Sequence, residues 1–170
     1  EVMSVPQYDG GQALSTAICM ANRINGRVKV PLPASMNPQN RRIVLNYLDS
    51  VQDTQVIEPV FLAYDPKTGC LDMDDLKAKL DASVTAVVLE TVSFLGVMEP
   101  NTAEIGRLAA GRGAEFIAYI DPVSLGVLEA PTNYGAPICC RDLPSLGLHP
   151  SGGNGPAGVM STKGEAKSLG

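Results

Sequence analysis

The sequence predicts an α/β fold in which a mostly parallel sheet carries helices on both faces. Segments with apolar residues at helical spacing alternate along the chain with short apolar runs rich in β-branched residues. One such run, Val84 to Leu89, is almost continuously apolar, as is typical of a strand that helices cover on both faces. Alternation of this kind joins parallel strands through crossover helices, so ligands are expected at the carboxyl edge of the sheet.

The first half of the chain predicts two helices, each followed by a strand. Leu14, Ile18 and Ala21 share one face of the first helix, which we expect over Gln12 to Arg23 because Asn25-Gly26 is a stop signal. The elements predicted next are a strand at Arg27 to Val30, a helix from about Gln39 to Leu48 and a strand at Thr54 to Val60.

The second half begins with a turn and continues the alternation. Asp65 to Gly69 predicts the turn, because its proline fixes φ and its glycine permits positive φ. Asp72 caps a short helix through Leu80, with further acids in the first turn, where the helix dipole favours them. The remaining elements are strands at Val84 to Leu89, Glu115 to Ile120, Ile138 to Cys140 and Ala157 to Ser161, and a helix from Asn101 or Thr102 to near Gly111–Gly113.

Composition argues against two classes of function. The chain has 13 Lys and Arg against 18 Asp and Glu, a net charge of −5 and no basic cluster, which argues against binding nucleic acid. No apolar run approaches the roughly 20 residues that a membrane-spanning helix needs, and a secretory signal pattern is missing, so secretion is not expected. We expect residues 1–170 to form a single, truncated domain, because the polar stretch Gly164 to Gly170 has neither a cap nor a partner strand.

Metal and hydrolase chemistry find little support in the sequence. The four cysteines have no zinc-ligand spacing, and two of them, Cys139 and Cys140, are neighbours, so buried free thiols are expected. A single histidine, His149, leaves few options for a metal site or a catalytic triad, and the G-x-S-x-G motif is missing. We therefore predict no metal ligands and no catalytic residues.

The densest glycine cluster runs from Gly152 to Pro156, directly after Ser151. Glycine has no Cβ, so backbone amides in such a cluster can approach a phosphate closely. The same residues also suit a tight turn before the last strand, and the sequence leaves both interpretations open.

Asp121 is the most suggestive single residue, because it follows the apolar strand Glu115 to Ile120 directly. Its carboxylate is expected at the carboxyl edge of the sheet, where it needs a cation or a hydrogen-bond donor if it is buried. The protonated pyridine nitrogen of pyridoxal phosphate is one such partner in α/β enzymes. The alternative is a loop cap, bonded to the amides of Val123 or Ser124.

Several stretches, in this order along the chain, resemble one protein family. They are Tyr8-Asp9-Gly10, Ala21-Asn22-Arg23, Thr85-Ala86-Val87-Val88-Leu89, Ser93-Phe94-Leu95-Gly96-Val97-Met98-Glu99, Asp121-Pro122-Val123-Ser124-Leu125-Gly126, Pro131-x-x-Tyr134-Gly135-Ala136 and Gly158-Val159-Met160. The family is the P-protein of the glycine cleavage system, a glycine decarboxylase dependent on pyridoxal phosphate, and the resemblance is to its alpha half, subunit 1. It spans nearly the whole chain.

The resemblance implies part of the large domain of a fold type I pyridoxal-phosphate enzyme. In that family two related halves pair, and the beta-type half carries the lysine that binds the cofactor. The segment where this lysine would fall, Asp142 to Leu146, contains none, and Lys163 and Lys167 come after the last strand. Pyridoxal phosphate is therefore expected mainly on a partner subunit and not covalently on this chain.

The resemblance also implies roles for a few residues. Asp121 aligns with the aspartate that faces the pyridine nitrogen in the catalytic half, and here we expect it to be vestigial. Tyr8 and the turn Ser151, Gly152 and Gly153 are candidates for bordering the cofactor of the partner. The implied partners are the lysine-bearing beta-type subunit and, through the complex, a lipoyl carrier protein. The implied location is the cytoplasm in a bacterium and the mitochondrial matrix in a eukaryote.

Two departures from the family pattern leave an alternative open. Asn37-Pro38 stands where the family usually has His-Pro. Cys139 to Pro144 stands where the family has a small apolar strand that is followed by a Gly-Glu-Gly-Gln-like loop. The second change favours a degenerate, non-catalytic paralogue that serves as a structural subunit. The intact segment Asp121 to Gly126 favours a component of the decarboxylase. A small flavodoxin-like binding domain is a third interpretation, which the abrupt ending at Gly170 disfavours.

Overall fold

The computed structural model, which describes residues 2–149, 152–153 and 157–164, has seven strands and four α-helices in those ranges. The helices follow the apolar spacing of the sequence, and the two strands that are buried at every position follow its apolar runs. The strands are β1 (Val2–Gln7), β2 (Lys29–Pro33), β3 (Glu58–Leu62), β4 (Ala86–Thr91), β5 (Glu115–Ile120), β6 (Ile138–Asp142) and β7 (Gly158–Thr162), and the helices are α1 (Gly10–Asn25), α2 (Pro38–Ser50), α3 (Met73–Lys79) and α4 (Thr102–Gly111).

The sheet is mostly parallel, as the sequence predicts. Five strands pair in the order β1-β7-β6-β5-β4, and β2 pairs with β3 in parallel. The Thr85 amide donates to the Lys29 carbonyl at 2.7 Å, and Lys29 and Val84 form a parallel bridge, so β2 continues the sheet beyond β4. Among the described strands, β7 runs opposite to the rest.

Apolar side chains fill a layer on each face of the sheet, because successive residues of a strand point to opposite faces. Val88 and Ile117 belong to the layer that α1 and α2 cover. Val87 and Phe116 belong to the other layer, with Leu76 of α3 and Ile105 of α4. The buried strands therefore have helices on both faces, and this prediction is confirmed.

The largest differences from the sequence-based expectation concern the first three strands of the chain. The strand expected at Thr54 to Val60 is found at Glu58–Leu62, because the chain leaving α2 first makes a turn in which Thr54 and Gln55 donate to the Val51 carbonyl. The strand expected at Arg27 to Val30 extends to Pro33 despite its prolines. β1 was not expected, since residues 2–6 are exposed and therefore lack an alternating apolar pattern.

None of the helices in the described ranges is long and apolar enough to cross a membrane.

Candidate functional site

A pocket of about 470 Å³ lies at the carboxyl edge of the sheet, where β4, β5 and β6 end and α1 and α2 begin. We call it the carboxyl-edge pocket. Four carboxylates line it, those of Asp9, Glu90, Asp121 and Asp142. The described residues of its lining include no lysine, arginine or histidine, so the pocket is acidic.

The end of β6 is tied to the start of α1 through one carboxylate. Asp142 is the last residue of β6, and its Oδ1 accepts a hydrogen bond from the Gly10 amide at 2.5 Å. Its Oδ2 accepts from the Tyr119 hydroxyl, also at 2.5 Å. Burial and the neighbouring Asp142 carboxylate both raise the pKa of Tyr119, so the phenol stays protonated and continues to donate.

Gly10 is required by this close approach. A Cβ atom at Gly10 would overlap the Tyr119 hydroxyl and lie 2.7 Å from the carboxyl carbon of Asp142. The absence of a side chain therefore lets the first turn of α1 reach the Asp142 carboxylate.

A second carboxylate of the pocket, the buried Glu90, stands on β4 directly opposite Tyr119 in the parallel register. Its Oε2 accepts from the amides of Asn37 at 2.9 Å and Phe94 at 3.0 Å, and the side chain is 7% exposed. Burial raises the pKa of Glu90, and the hydrogen bonds from Asn37, Phe94 and Asn40 oppose this shift. Glu90 thereby fixes the loop after β4 and the start of α2.

Asp121 lies on the rim of the same pocket, immediately after β5. It is exposed, and its carboxylate accepts from the Val123 amide at 3.1 Å, while the Ser124 hydroxyl donates to its backbone carbonyl. The side chain thus makes the loop cap that the sequence offered as one interpretation. Its role toward a pyridine nitrogen stays a prediction.

The other candidates lie elsewhere. Tyr8 is 71% exposed and does not line the carboxyl-edge pocket, although its neighbour Asp9 does. Gly152 and Gly153 are exposed turn residues with φ values of 73° and 93°, and they also lie outside the lining. Ser151 falls outside the described residues.

Sequence reasoning missed four polar residues of the pocket, the buried Asn40, Glu90 and Tyr119 and the half-buried Asp142. A usable signal existed at two of them, because Glu90 is a charged residue directly after a predicted apolar strand and Asp142 lies just beyond the strand predicted at Ile138 to Cys140. Neither signal indicates which partner the carboxylate finds, since that depends on how α1 and α2 pack against the sheet.

The described cysteines carry no disulfide, and two of them, Cys19 and Cys140, are buried. Burial raises the pKa of the Cys140 thiol, which lies 3.5 Å from the Ala13 carbonyl and packs as a core residue. Within the described ranges, no group of three or more potential ligands could hold a metal ion.

The residues of the carboxyl-edge pocket do not fit pyridoxal phosphate. The cofactor carries a phosphate dianion and an aldehyde that needs an amine, whereas the described lining offers carboxylates and neither lysine nor arginine. Lys163 lies at the opposite edge of the sheet, where its amide donates to the carbonyl of Pro137, the residue before β6. Lys167 is outside the described residues.

Comparison with known families gives a match over residues 1–168 to the glycine cleavage system P-protein. The chain belongs to this family. The resemblance inferred from the sequence is therefore confirmed. The predicted fold, that of fold type I pyridoxal-phosphate enzymes, is confirmed as well.

Two curated relatives of this P-protein chain carry the name "Probable glycine dehydrogenase (decarboxylating) subunit 1". The protein of Chlorobium luteolum is 38% identical over 165 residues, which is 97% of this chain and 36% of the relative. The protein of Staphylothermus marinus is 33% identical over 168 residues, 98% of this chain and 35% of the relative. The chain thus spans about a third of the length of the curated relatives it matches.

Solved structures give the same fold. A crystal structure of glycine decarboxylase (P-protein) of the glycine cleavage system, in inhibitor-bound form, superposes with a TM-score of 0.84 at 32% identity, covering 95% of this chain and 35% of that one. A sphingosine-1-phosphate lyase of Burkholderia pseudomallei superposes with a TM-score of 0.67 at 16% identity, covering 96% of this chain and 38% of that one. At such low identity, the second likeness concerns the fold alone.

Proposed function

We propose that this chain is part of the lysine-free, alpha-type subunit of a glycine decarboxylase that depends on pyridoxal phosphate. In this proposal residues 1–170 form part of its large domain and have no catalytic activity of their own. The observation that carries the proposal is the end of β6, where Asp142 to Leu146 contain no lysine and the Asp142 carboxylate bonds Gly10 and Tyr119.

The cofactor belongs to a partner subunit in this proposal. Two observations support this assignment: the curated relatives are named subunit 1, which implies a second subunit, and the carboxyl-edge pocket is acidic. The complex would decarboxylate glycine and pass the aminomethyl group to a lipoyl carrier protein. This chain would contribute the scaffold and loops that border the partner's site, with Tyr8 and the turn Ser151, Gly152 and Gly153 as candidates there.

Exposed apolar side chains at the carboxyl edge support the presence of a covering partner. They sit on the loops that follow β4, β5 and β6, three neighbouring strands of the sheet. Their exposed fractions run from 47% to 92%, and the residues are Phe94, Leu95, Met98, Val123, Val127, Leu146 and Leu148. Such a concentration of apolar surface is typical of interaction sites.

The competing hypothesis, a degenerate paralogue with a structural role, is not favoured by relatives that carry the enzyme's name over nearly the whole chain. The family's bacterial and archaeal members support a cytoplasmic location for a prokaryotic source, and a eukaryotic protein would act in the mitochondrial matrix.

The decisive experiment is borohydride reduction of the native assembly followed by peptide mapping of pyridoxyl-lysine. We expect the label on the partner chain, and we expect the same pattern in a Lys163→Arg variant of this chain. A label on Lys163 or Lys167 would overturn the proposal. An intact assembly that gains no label when the cofactor is supplied would instead favour the structural paralogue.

A further inference from the structure

The start of α1 and the end of β6 together point to a property that goes beyond the proposed function. We propose that Asp142 acts as a built-in anion at the amino terminus of α1 and makes the carboxyl-edge pocket reject ligands that carry a phosphate group. Asp142 would then be the residue that determines which class of ligand this pocket excludes.

The amino terminus of α1 has the features of an anion site. The helix is 16 residues long and opens with Gly10-Gly11. The first backbone amides of such a helix have no partner within it, and together with the helix dipole they favour a negatively charged group. In this chain the Asp9 side chain accepts from the Gln12 amide at 2.6 Å, and the Asp142 carboxylate accepts from the Gly10 amide.

Asp142 is held firmly in that place. Its second oxygen accepts from the Tyr119 hydroxyl, so both carboxylate oxygens have donors. Rotation of the carboxylate would break both hydrogen bonds. Gly158, the partner of Asp142 in the register of β6 and β7, lets β7 pass against the backbone of Asp9 and adds a second close approach at this point. The contact between β6 and α1 is therefore part of the packing of the fold.

A phosphate entering the pocket would be repelled by the carboxylates of the lining, and it would find the Gly10 amide already hydrogen-bonded to Asp142. The Gly10 amide is already bonded, and Asp9, Glu90 and Asp121 add carboxylates around the space that remains. The described lining offers no lysine, arginine or histidine to offset the charge of a phosphate dianion. Removal of the Asp142 carboxylate would free the amide of Gly10 and lessen the negative field at the same point.

The test is a titration of the full-length protein, in complex with its partner subunit and cofactor, with inorganic phosphate, followed by isothermal calorimetry and ³¹P NMR. In the wild type we expect no phosphate site on this chain. In the Asp142→Ala variant we expect one added site for each copy of the chain, which binds phosphate at least about tenfold more tightly than any residual binding by the wild type, a difference of about 1.4 kcal/mol.

Two control variants separate the charge of Asp142 from other effects. Tyr119→Phe removes a hydrogen bond from Asp142 but leaves its carboxylate in place, so no phosphate site should appear. Asp53→Ala removes an exposed carboxylate outside the pocket lining and matches the change in net charge. A gain of phosphate binding in either control, equal to that of Asp142→Ala, would overturn the proposal.

The wild type can overturn the proposal by itself, if it binds phosphate at the start of α1. An Asp142→Ala complex that assembles normally by size-exclusion chromatography and gains no site would overturn it as well. If that variant does not assemble, Asp142→Asn, which keeps the size of the side chain and removes its charge, decides by the same titration. Phosphate binding and the borohydride label are read independently, so this proposal and the proposed function can fail separately.

Discussion

The buried carboxylate of Glu90 in β4 accepts hydrogen bonds from two backbone amides, those of Asn37 and Phe94. Because burial raises the pKa of Glu90, the folded state holds its proton at pH values where the unfolded chain has already released it. The contribution of Glu90 to stability therefore falls as the pH rises from its ordinary pKa of 4.5 through the raised value.

We expect the Glu90→Gln variant to lose this part of the pH dependence. A glutamine oxygen can still accept from both amides, so the variant should be at least as stable as the wild type at neutral pH. Thermal midpoints of the full-length protein between acidic and neutral pH measure the effect, with the exposed Glu129→Gln as the control for net charge. If the thermal midpoints of the wild type and Glu90→Gln changed equally with pH, the buried carboxylate of Glu90 would not be the cause of the pH dependence.

Tyr119 contributes one hydrogen bond to a charged acceptor, and this bond can be removed without removing the ring. The Tyr119→Phe substitution should lower the free energy of unfolding by about 1–2 kcal/mol, because Asp142 loses a donor in a half-buried place. Denaturant titration of the full-length protein provides the measurement. A change below about 0.5 kcal/mol would mean that water replaces the phenol at no cost.

At the scale of secondary structure, the sequence predicted the strands best where an apolar run is uninterrupted. β4 and β5 are buried at all their positions, and their apolar runs predicted them within two residues at each end. β1 was missed, because its described neighbours leave its side chains exposed and its pattern carries no burial signal. The carboxyl-edge pocket could not be predicted in detail, since the bond between Gly10 and Asp142 joins residues 132 positions apart.

The junction of α1 with β6 gives a prediction at this scale. Gly10→Ala should destabilise the protein by about 1–3 kcal/mol, because its Cβ has no room beside Tyr119 and Asp142. Gly111→Ala is the matched control, since Gly111 is a helix residue whose Cβ would meet open space, and there we expect a gain of up to about 1 kcal/mol. Equal effects of the two substitutions in thermal unfolding would contradict the close packing at Gly10.

At the scale of the whole molecule, the apolar loops at the carboxyl edge predict where the proposed partner subunit binds. Val123→Asp should weaken the complex with the partner by about tenfold or more, because a charge would have to be buried at the interface. Val56→Asp is a matched control, since Val56 is also exposed, at 52% against 56% for Val123, and precedes β3 at the other edge of the sheet. Analytical ultracentrifugation of the two complexes measures the difference, and equal weakening would argue against an interface at the carboxyl edge.

The outermost strand of the sheet has a consequence for handling the protein. Among the described strands β1 pairs on one side, with β7, so its other side presents backbone donors and acceptors beside the exposed Val2, Met3 and Val5. An open edge of this kind is a template on which a strand of another molecule can add, and sheets that grow in this way aggregate. Pro6, which has no amide proton to offer, interrupts that template toward the end of β1. Concentrated solutions of this chain on its own should therefore precipitate through extension of the sheet at β1.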